Sequence, residues 1–271
     1  MSLTFPHGPL SDRPSDTNYD LHGPRHRLFF DEFPRRVRAF FGGLAVFDTR
    51  GGKLLHETGI LPQLYVPRAD VRMDLLEKSD RSTHCPFKGD ASYWSVRAGD
   101  RIASDAAWAY PDPKGSTPWL RHYLAFYWDR LDAWFDEDEE VQGHLRDPYH
   151  RVDVRESSRH IRITVGKVLI AETTRPLVLS ETGLPNRYYL APEDVRAEYL
   201  IESTTQTVCP YKGTASYKTI VLDTRRLENA VWFYPQPLDG VLKISGRLSF
   251  LHEEVVVEVD GQRVIQRFAE E

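Results

Sequence analysis

Cysteine is scarce in this 271-residue chain, and long hydrophobic runs are missing from it. Its two cysteines, Cys85 and Cys209, are too few for the disulfide framework that stabilises small secreted domains. No apolar run approaches the roughly 20 residues needed to cross a bilayer. Residues 1–6 also lack the basic and apolar regions of a signal peptide. These absences predict a soluble, cytoplasmic protein with reduced thiols and no membrane partner.

Basic charge is not in excess either, since the formal net charge is -5 and the pI is about 6.1. A protein that neutralises phosphates needs a net basic surface, so we expect no nucleic-acid partner. Neither a glycine-rich phosphate loop nor a set of closely spaced zinc ligands occurs, and the sequence identifies no cofactor. Familiar nucleotide and zinc chemistry is therefore not predicted.

An internal repeat with a fixed offset of 124 residues is the strongest pattern that is present. The repeated candidates for a site are Glu57 and Glu181, Arg72 and Arg196, Cys85 and Cys209, Lys88 and Lys212, Tyr93 and Tyr217, Trp108 and Trp232, and Tyr110 and Tyr234. No gap is needed to align them. A period this long exceeds that of solenoid repeats, so each copy is predicted to be a domain.

Composition divides the rest of the chain. Residues 1–24 are rich in polar residues, Pro and Gly, and are predicted to form a flexible arm. The first repeat domain is then expected over residues 25–135, a linker over 136–158, and the second domain over 159–271. The linker begins with an acidic run that is typical of a solvated segment. Its other charges are expected to tie the two domains together, and we predict that the repeats pair within the chain.

Apolar alternation predicts a mainly β (α+β) fold, with a small antiparallel sheet or sandwich in each copy. Alternating residues on either side of Gly166 and Lys167 indicate one hairpin, and Asp260 with Gly261 indicates the turn of another. One or two short helical turns are expected per copy. They are predicted after Pro67 and Pro192, and over residues 117–124.

Several of the repeated motifs occur together in a known family. They are Glu-Thr-Gly, Cys-Pro-(Phe/Tyr)-Lys-Gly-x-Ala-Ser-Tyr, Ala-x-Trp-x-Tyr-Pro-x-Pro, and the Arg-Asp-Pro-Tyr-His-Arg of residues 146–151. Over residues 36–268 the chain resembles the bacterial and fungal family of unknown function numbered 427. That resemblance implies a compact, mainly β domain that is often duplicated. Some catalogues give the family a nucleotidyltransferase-type name, but neither copy shows the carboxylate pair that holds Mg²⁺ in such enzymes.

The cysteine motif is the most suggestive of chemistry. Cys85 has Lys88 three residues on, and Cys209 has Lys212, and a nearby ammonium favours the thiolate needed by a nucleophile or redox sensor. Each cysteine also fits a small buried residue at a strand end, which is the favoured interpretation. Within the aligned motifs no histidine recurs, so a shared mechanism is predicted to use none.

Two further groups of repeated residues are open to a binding role. Glu57 with Arg72, and Glu181 with Arg196, are predicted to form structural ion pairs, or alternatively to clamp a polar ligand. The repeated aromatic residues would form either core or the walls of a cleft for a planar or anionic molecule. They are Tyr93, Trp108 and Tyr110, with Tyr217, Trp232 and Tyr234.

Four hypotheses for function follow, and binding of a small polar or planar ligand in an aromatic-lined cleft is favoured. A cysteine-dependent enzyme or redox sensor, a nucleotidyltransferase-like enzyme and an interaction scaffold are the alternatives. The first copy is the better candidate for activity, because His84 and Asp90 add ionisable groups beside its cysteine. A metal site that joins His144 or His150 to Asp147 or Asp153 is a lesser possibility.

Overall fold

The structure is a computed structural model that describes residues 16–20, 22–223 and 225–264. It divides into two compact units, one ending at Tyr149 and the other beginning at His150. The predicted arm over residues 1–24 lies largely outside the described residues. No helix in the described part is long and apolar enough to span a membrane.

Antiparallel strands make up most of the first unit. They are β1 (Leu28–Glu32), β2 (Val37–Phe41), β3 (Leu44–Thr49), β4 (Lys53–Glu57), β5 (Ile60–Pro67), β6 (Leu76–Cys85), β7 (Gly89–Ala98), β8 (Arg101–Ala109), β9 (Tyr123–Phe126), β10 (Ala133–Asp136) and β11 (Glu139–Glu140). One sheet has the order β1-β4-β5-β9-β8-β7-β6 and the other β11-β10-β2-β3. Short 3-10 helices cover Arg68–Asp70, Met73–Leu75 and Pro118–Leu120.

The second unit repeats this order of elements. Its strands are β12 (Val152–Glu156), β13 (Ile161–Val165), β14 (Val168–Thr173), β15 (Leu177–Glu181), β16 (Arg187–Tyr189), β17 (Leu200–Cys209), β18 (Gly213–Leu222), β19 (Arg225–Phe233), β20 (Ser249–Phe250), β21 (Val255–Val259) and β22 (Gln262–Val264). They form sheets of order β12-β15-β16, β14-β13-β21-β22 and β17-β18-β19-β20. The 3-10 helices cover Pro192–Asp194, Ala197–Tyr199 and Asp239–Ile244.

The 124-residue offset found in the sequence also relates the strands. β1 to β4 fall residue for residue on β12 to β15, and β6 to β8 fall on β17 to β19. Where β5 pairs with β9 in the first unit, the second unit retains an isolated bridge between Leu190 and Leu248. The prediction of two copies of one mainly β domain is therefore confirmed, with matched strand boundaries.

Each unit has its own hydrophobic core. In the first unit the inner residues of β2, β3 and β7 pack around Phe47, Phe126 and Trp134. In the second unit Ile161, Ile163 and their neighbours on β19 and β21 form the equivalent core. A smaller aromatic cluster lies at the Glu-Thr-Gly end of each unit, and this is the cluster that contains the candidate site.

Both predicted hairpins are confirmed. Gly166 joins β13 to β14, and Asp260 and Gly261 join β21 to β22 with φ of 52° and 78°, as a tight turn requires. The turns after Pro67 and Pro192 are also present.

The helix predicted over residues 117–124 is wrong beyond one 3-10 turn. Leu124 belongs to β9, because it pairs with Val66 and is buried in the core.

The segment 136–158, predicted to be a linker, contains strand structure at both ends. Glu139–Glu140 pairs with β10, and β12 pairs along its whole length with β15. The boundary between the units runs inside this segment. On one side Tyr149 donates a hydrogen bond to Asp31, 2.6 Å away, and on the other His150 contacts Glu181.

Candidate functional site

A buried carboxylate organises one end of the first unit. Glu57 ends β4, Lys88 lies in the turn between β6 and β7, and His26 precedes β1. The Lys88 ammonium donates a hydrogen bond to Glu57 Oε2, while His26 Nε2 lies 2.7 Å from Oε1. The His26 ring stacks on Phe87 with 3.8 Å between the ring centroids. This Glu-Lys-His triad joins three separate parts of the chain.

The same triad occurs in the second unit. Lys212 Nζ lies 2.6 Å from Glu181 Oε2, and His150 Nε2 lies 2.9 Å from Oε1. The His150 ring contacts Tyr211, the counterpart of Phe87, with 4.3 Å between centroids. Burial acts to raise the pKa of Glu181, but hydrogen bonds with His150 and Lys212 prevail and lower it to about 2. The Glu181 carboxylate is therefore ionised at neutral pH.

A histidine does recur at the 124-residue offset, outside the motifs within which none was expected. His26 and His150 are separated by the 124-residue offset and make the same contact. They were missed because one directly follows the predicted arm and the other lies in the predicted linker. The His-Arg dipeptide at both positions was the signal, since the backbone amide of each arginine also bonds the Thr side chain of Glu-Thr-Gly.

The predicted pairing of glutamate with arginine is also wrong. Arg72 is exposed and forms a bidentate pair with Asp74, and Arg196 is exposed at the corresponding position. The lysine of the cysteine motif takes the arginine's place beside each glutamate. The two arginines share a backbone contact: the amide of Arg72 donates to the Val46 carbonyl, and the amide of Arg196 donates to the Ile170 carbonyl.

The cysteines end β6 and β17, where each pairs with the glycine of its motif. Both are half-buried free thiols. The Lys88 and Lys212 ammonium groups hydrogen-bond to the glutamates, and the Tyr110 hydroxyl is a polar neighbour of Cys85. Burial raises the pKa of Tyr110 and of its counterpart Tyr234. The structure thus places each motif lysine on a carboxylate.

The repeated aromatic residues meet across neighbouring strands. Tyr93 on β7 faces Trp108 on β8, and Tyr217 on β18 faces Trp232 on β19. The Tyr217 hydroxyl lies 2.8 Å from Thr207 Oγ1, and Trp232 Nε1 donates to the Tyr189 hydroxyl over 3.1 Å.

In the second unit these residues line an open cleft of about 260 Å³, which we call the Trp232 cleft. Its lining residues are Leu179, Glu181, Arg187, Tyr189, Lys212, Tyr217, Asn229, Trp232, Tyr234 and Leu251. The cleft therefore brings together five of the seven residues predicted in the second copy. Cys209 packs against the same aromatic cluster, and Arg196 lies elsewhere.

A family model described as Domain of unknown function (DUF427) matches residues 30–137 and again residues 153–261. The chain is a tandem member of the DUF427 family. No curated protein matches it. The two matched stretches begin just after His26 and His150, so the histidine of each triad directly precedes its DUF427 repeat.

Arg187 and Tyr189 are cleft residues of the second DUF427 repeat that sequence reasoning missed. Tyr189 aligns with Tyr65 at the 124-residue offset, so the internal repeat contained the signal that identifies it. Arg187 aligns with Gln63 of the first repeat, so it is not one of the residues that the copies share. Burial lowers the pKa of Arg187, whose guanidinium lies 5.9 Å from the Trp232 ring centroid.

The residues considered for a metal site have separate partners. His144 Nδ1 lies 2.7 Å from the Leu145 carbonyl, and His150 contacts Glu181. Asp147 accepts a bond from the Tyr149 amide and lies 3.9 Å from His56, while Asp153 pairs with arginine. Among the described residues, no group of three or more His, Cys, Asp and Glu could hold a metal ion.

Proposed function

We propose that the second DUF427 repeat binds a small polar or planar ligand in the Trp232 cleft. The observation that carries this proposal is the convergence of Tyr217, Trp232 and Tyr234 with the side chains of Arg187 and Lys212 around one open cavity. Ligand sites are concave, mostly aromatic or apolar, and carry a few placed polar groups. A volume of about 260 Å³ lies just below the roughly 300–1,000 Å³ of pockets for drug-sized molecules, so it suits a smaller ligand.

The contacts favour binding over cysteine chemistry. A catalytic thiolate is stabilised by a nearby cation, and in both repeats the motif lysine is engaged by a buried glutamate. The hydroxyls of Tyr217 and Tyr189 already have one partner each and retain capacity for another. The half-buried Tyr217 is the better placed of the two to orient a ligand, because Tyr189 is only 1% exposed.

A thermal-shift screen of nucleotides, sugar phosphates and small aromatic acids tests the proposal. A ligand at about one hundred times its Kd stabilises the folded state by about 2.7 kcal/mol, which raises Tm by several degrees. We expect Trp232→Ala to abolish that shift. Trp108→Ala, the matched change in the first repeat, should leave it intact. Equal shifts in both variants would contradict a site in the second repeat.

A further inference from the structure

We infer that the Trp232 cleft takes a hydroxylated aromatic carboxylate, whose ring lies where the first repeat places its own Tyr127. This inference rests on the proposed function and names the ligand class of the same site. The two repeats align position by position, so the residues of one show how the equivalent space in the other is filled or left open.

The first repeat covers its equivalent aromatic residues with its own side chains. Tyr127 packs on Trp108 with 4.6 Å between the ring centroids. Burial and an interaction with the Tyr93 hydroxyl raise the pKa of the Tyr127 phenol. Tyr127 therefore provides an internal example of a phenol ring held between the tryptophan and the tyrosine of a DUF427 repeat.

Smaller residues replace these covers in the second repeat. Leu251 stands at the position of Tyr127 and lines the cleft. Thr205 stands at the position of Arg81, whose guanidinium lies 4.5 Å from the centroid of the Tyr93 ring. Both differences remove a side chain from the aromatic pair, so the second repeat has room for a ring that the chain itself does not supply.

The two repeats also differ in charge at this place, and the difference favours an anionic ligand in the second repeat. The lining residues of the second repeat carry a net formal charge of +1, from one carboxylate on Glu181 and the two cations Arg187 and Lys212. Gln63 takes the place of Arg187 in the first repeat. A carboxylate is the group that a guanidinium binds best, because two parallel hydrogen bonds form at once.

The three chemical features of the ligand follow from these residues. A planar ring stacks on Trp232, and a carboxylate binds Arg187. A ligand hydroxyl forms a hydrogen bond with the Tyr217 hydroxyl, which also contacts Thr207. A ring without the acid, or an acid without the ring, satisfies only part of the cleft.

Isothermal titration calorimetry with the full chain tests the inference, using 4-hydroxybenzoate as the probe. Cyclohexanecarboxylate lacks the aromatic ring, and 4-hydroxybenzyl alcohol lacks the carboxylate. We expect one site per chain for 4-hydroxybenzoate, with an affinity at least about tenfold above both comparison compounds. Equal affinity for cyclohexanecarboxylate would overturn the inference.

Residues exchanged between the repeats give the variants. Leu251→Tyr copies the first repeat and should weaken 4-hydroxybenzoate binding by about tenfold or more, because the new ring fills the cleft. Leu251→Phe is a second closing variant in case Leu251→Tyr does not fold, because its ring fills the same space without adding a charge. Arg187→Gln should weaken the acid by about tenfold and leave the alcohol within about twofold. Tyr127→Leu, the matched control, should retain wild-type affinity.

The outcomes separate this inference from the proposal on which it rests. If folded Leu251→Tyr and Leu251→Phe both bind 4-hydroxybenzoate as the wild type does, the ring does not occupy this cleft. If only an aliphatic or phosphate ligand binds, and Trp232→Ala abolishes its binding, the ligand class is wrong but the cleft remains a binding site. If Trp232→Ala changes the binding of no screened compound, both fail.

Discussion

At the scale of single residues, the glutamate of each triad is a charged group held by two side-chain partners, a lysine and a histidine. Glu57 is 7% exposed and Lys88 8% exposed. Two charges at this depth stabilise the fold only as a pair, because either one alone would lie in a poorly solvated place. The pair fastens the end of β4 to the β6–β7 turn, and the histidine adds the chain that leads into β1.

Removing one charge of this pair should therefore cost more than removing both. We expect Lys88→Met to lower the free energy of unfolding of the first repeat by about 3–5 kcal/mol, since Glu57 is left buried without its ammonium. The double variant Glu57→Gln/Lys88→Met should lose less. Urea denaturation measures both, with exposed Lys78→Met as a control that stays within about 0.5 kcal/mol.

The lowered pKa of Glu181 predicts a pH dependence of stability. Its folded-state pKa of about 2 lies below the ordinary 4.5, so the carboxylate stabilises the second repeat fully above about pH 4.5. That contribution, on the order of 3 kcal/mol, is lost as the pH falls towards 2.

Urea midpoints measured between pH 7 and pH 2.5 check this dependence. Glu181→Gln should flatten the acid limb below pH 4.5, whereas Glu253→Gln, at an exposed position, should retain it. An unchanged limb in Glu181→Gln would show that another group carries the acid sensitivity.

The sequence identified the glutamate and the lysine of each triad as candidate site residues, but it did not predict that they pair with each other. Glu, Arg and Lys all recur at the same offset, and spacing along the chain does not show which cation reaches the carboxylate. The choice depends on where the β6–β7 turn lies relative to the end of β4, which is a property of the folded sheets.

At the scale of elements, the glycine of the Cys-Pro-x-Lys-Gly motif determines how β17 turns into β18. Gly213 has a φ of +98°, and a Cβ added there would lie 3.3 Å from the Gln236 carbonyl oxygen. Gly89 has a φ of +104° and the same kind of neighbour in Asp112. Both values lie in a region that other residues adopt only under strain.

Gly213→Ala should accordingly destabilise the second repeat by about 1–3 kcal/mol. Gly240→Ala is the matched control, because its φ is not positive and no atom lies within 4 Å of an added Cβ. We expect that control to stay within about 0.5 kcal/mol of the wild type. Comparable losses in the two variants, measured by urea denaturation, would contradict the role assigned to the turn.

Local patterns predicted the hairpins and the proline-initiated turns because both depend on near neighbours in the chain. The helix predicted over residues 117–124 shows the limit of local patterns, because the structure has only one 3-10 turn and then a strand there. Trp119, Leu120 and Tyr123 have helical spacing, yet Tyr123 and Leu124 pair with β5. Pairing between distant strands prevailed over local spacing, as it commonly does for buried segments.

At the scale of the whole molecule, the duplication was readable from sequence, while the limits of each unit needed the structure. The offset that maps β1 onto β12 assigns residues 152–156 to the second repeat. His150 belongs with it through Glu181. The composition of this stretch is polar, which is why it was predicted to be a linker.

Two fragments of the second repeat test these limits. Residues 150–271 should fold alone and unfold cooperatively, because the unit has its own core. Residues 159–271 lack β12 and His150, and should be less stable by at least about 3 kcal/mol, since Val154 and one triad partner are lost. Thermal unfolding followed by circular dichroism compares them. Equal Tm values for the two fragments would indicate that residues 150–158 are a linker and not part of the second repeat.

The cleft itself was beyond reach of the sequence. The repeated residues are those that the copies share, whereas the Trp232 cleft is also lined by Arg187 and Leu251, at which the copies differ. Shared residues build the walls in both repeats, and the unshared ones decide whether the space between them is filled.

The unbroken offset between the copies has a genetic consequence. Because most strand boundaries coincide after a shift of 124 residues, unequal recombination between the two halves of the gene would delete or add one whole domain. A crossover at any of the matched strands would still join segments in the correct register. Single-domain and three-domain descendants are thus accessible in one step, and a hybrid could inherit the walls of one copy and the covers of the other.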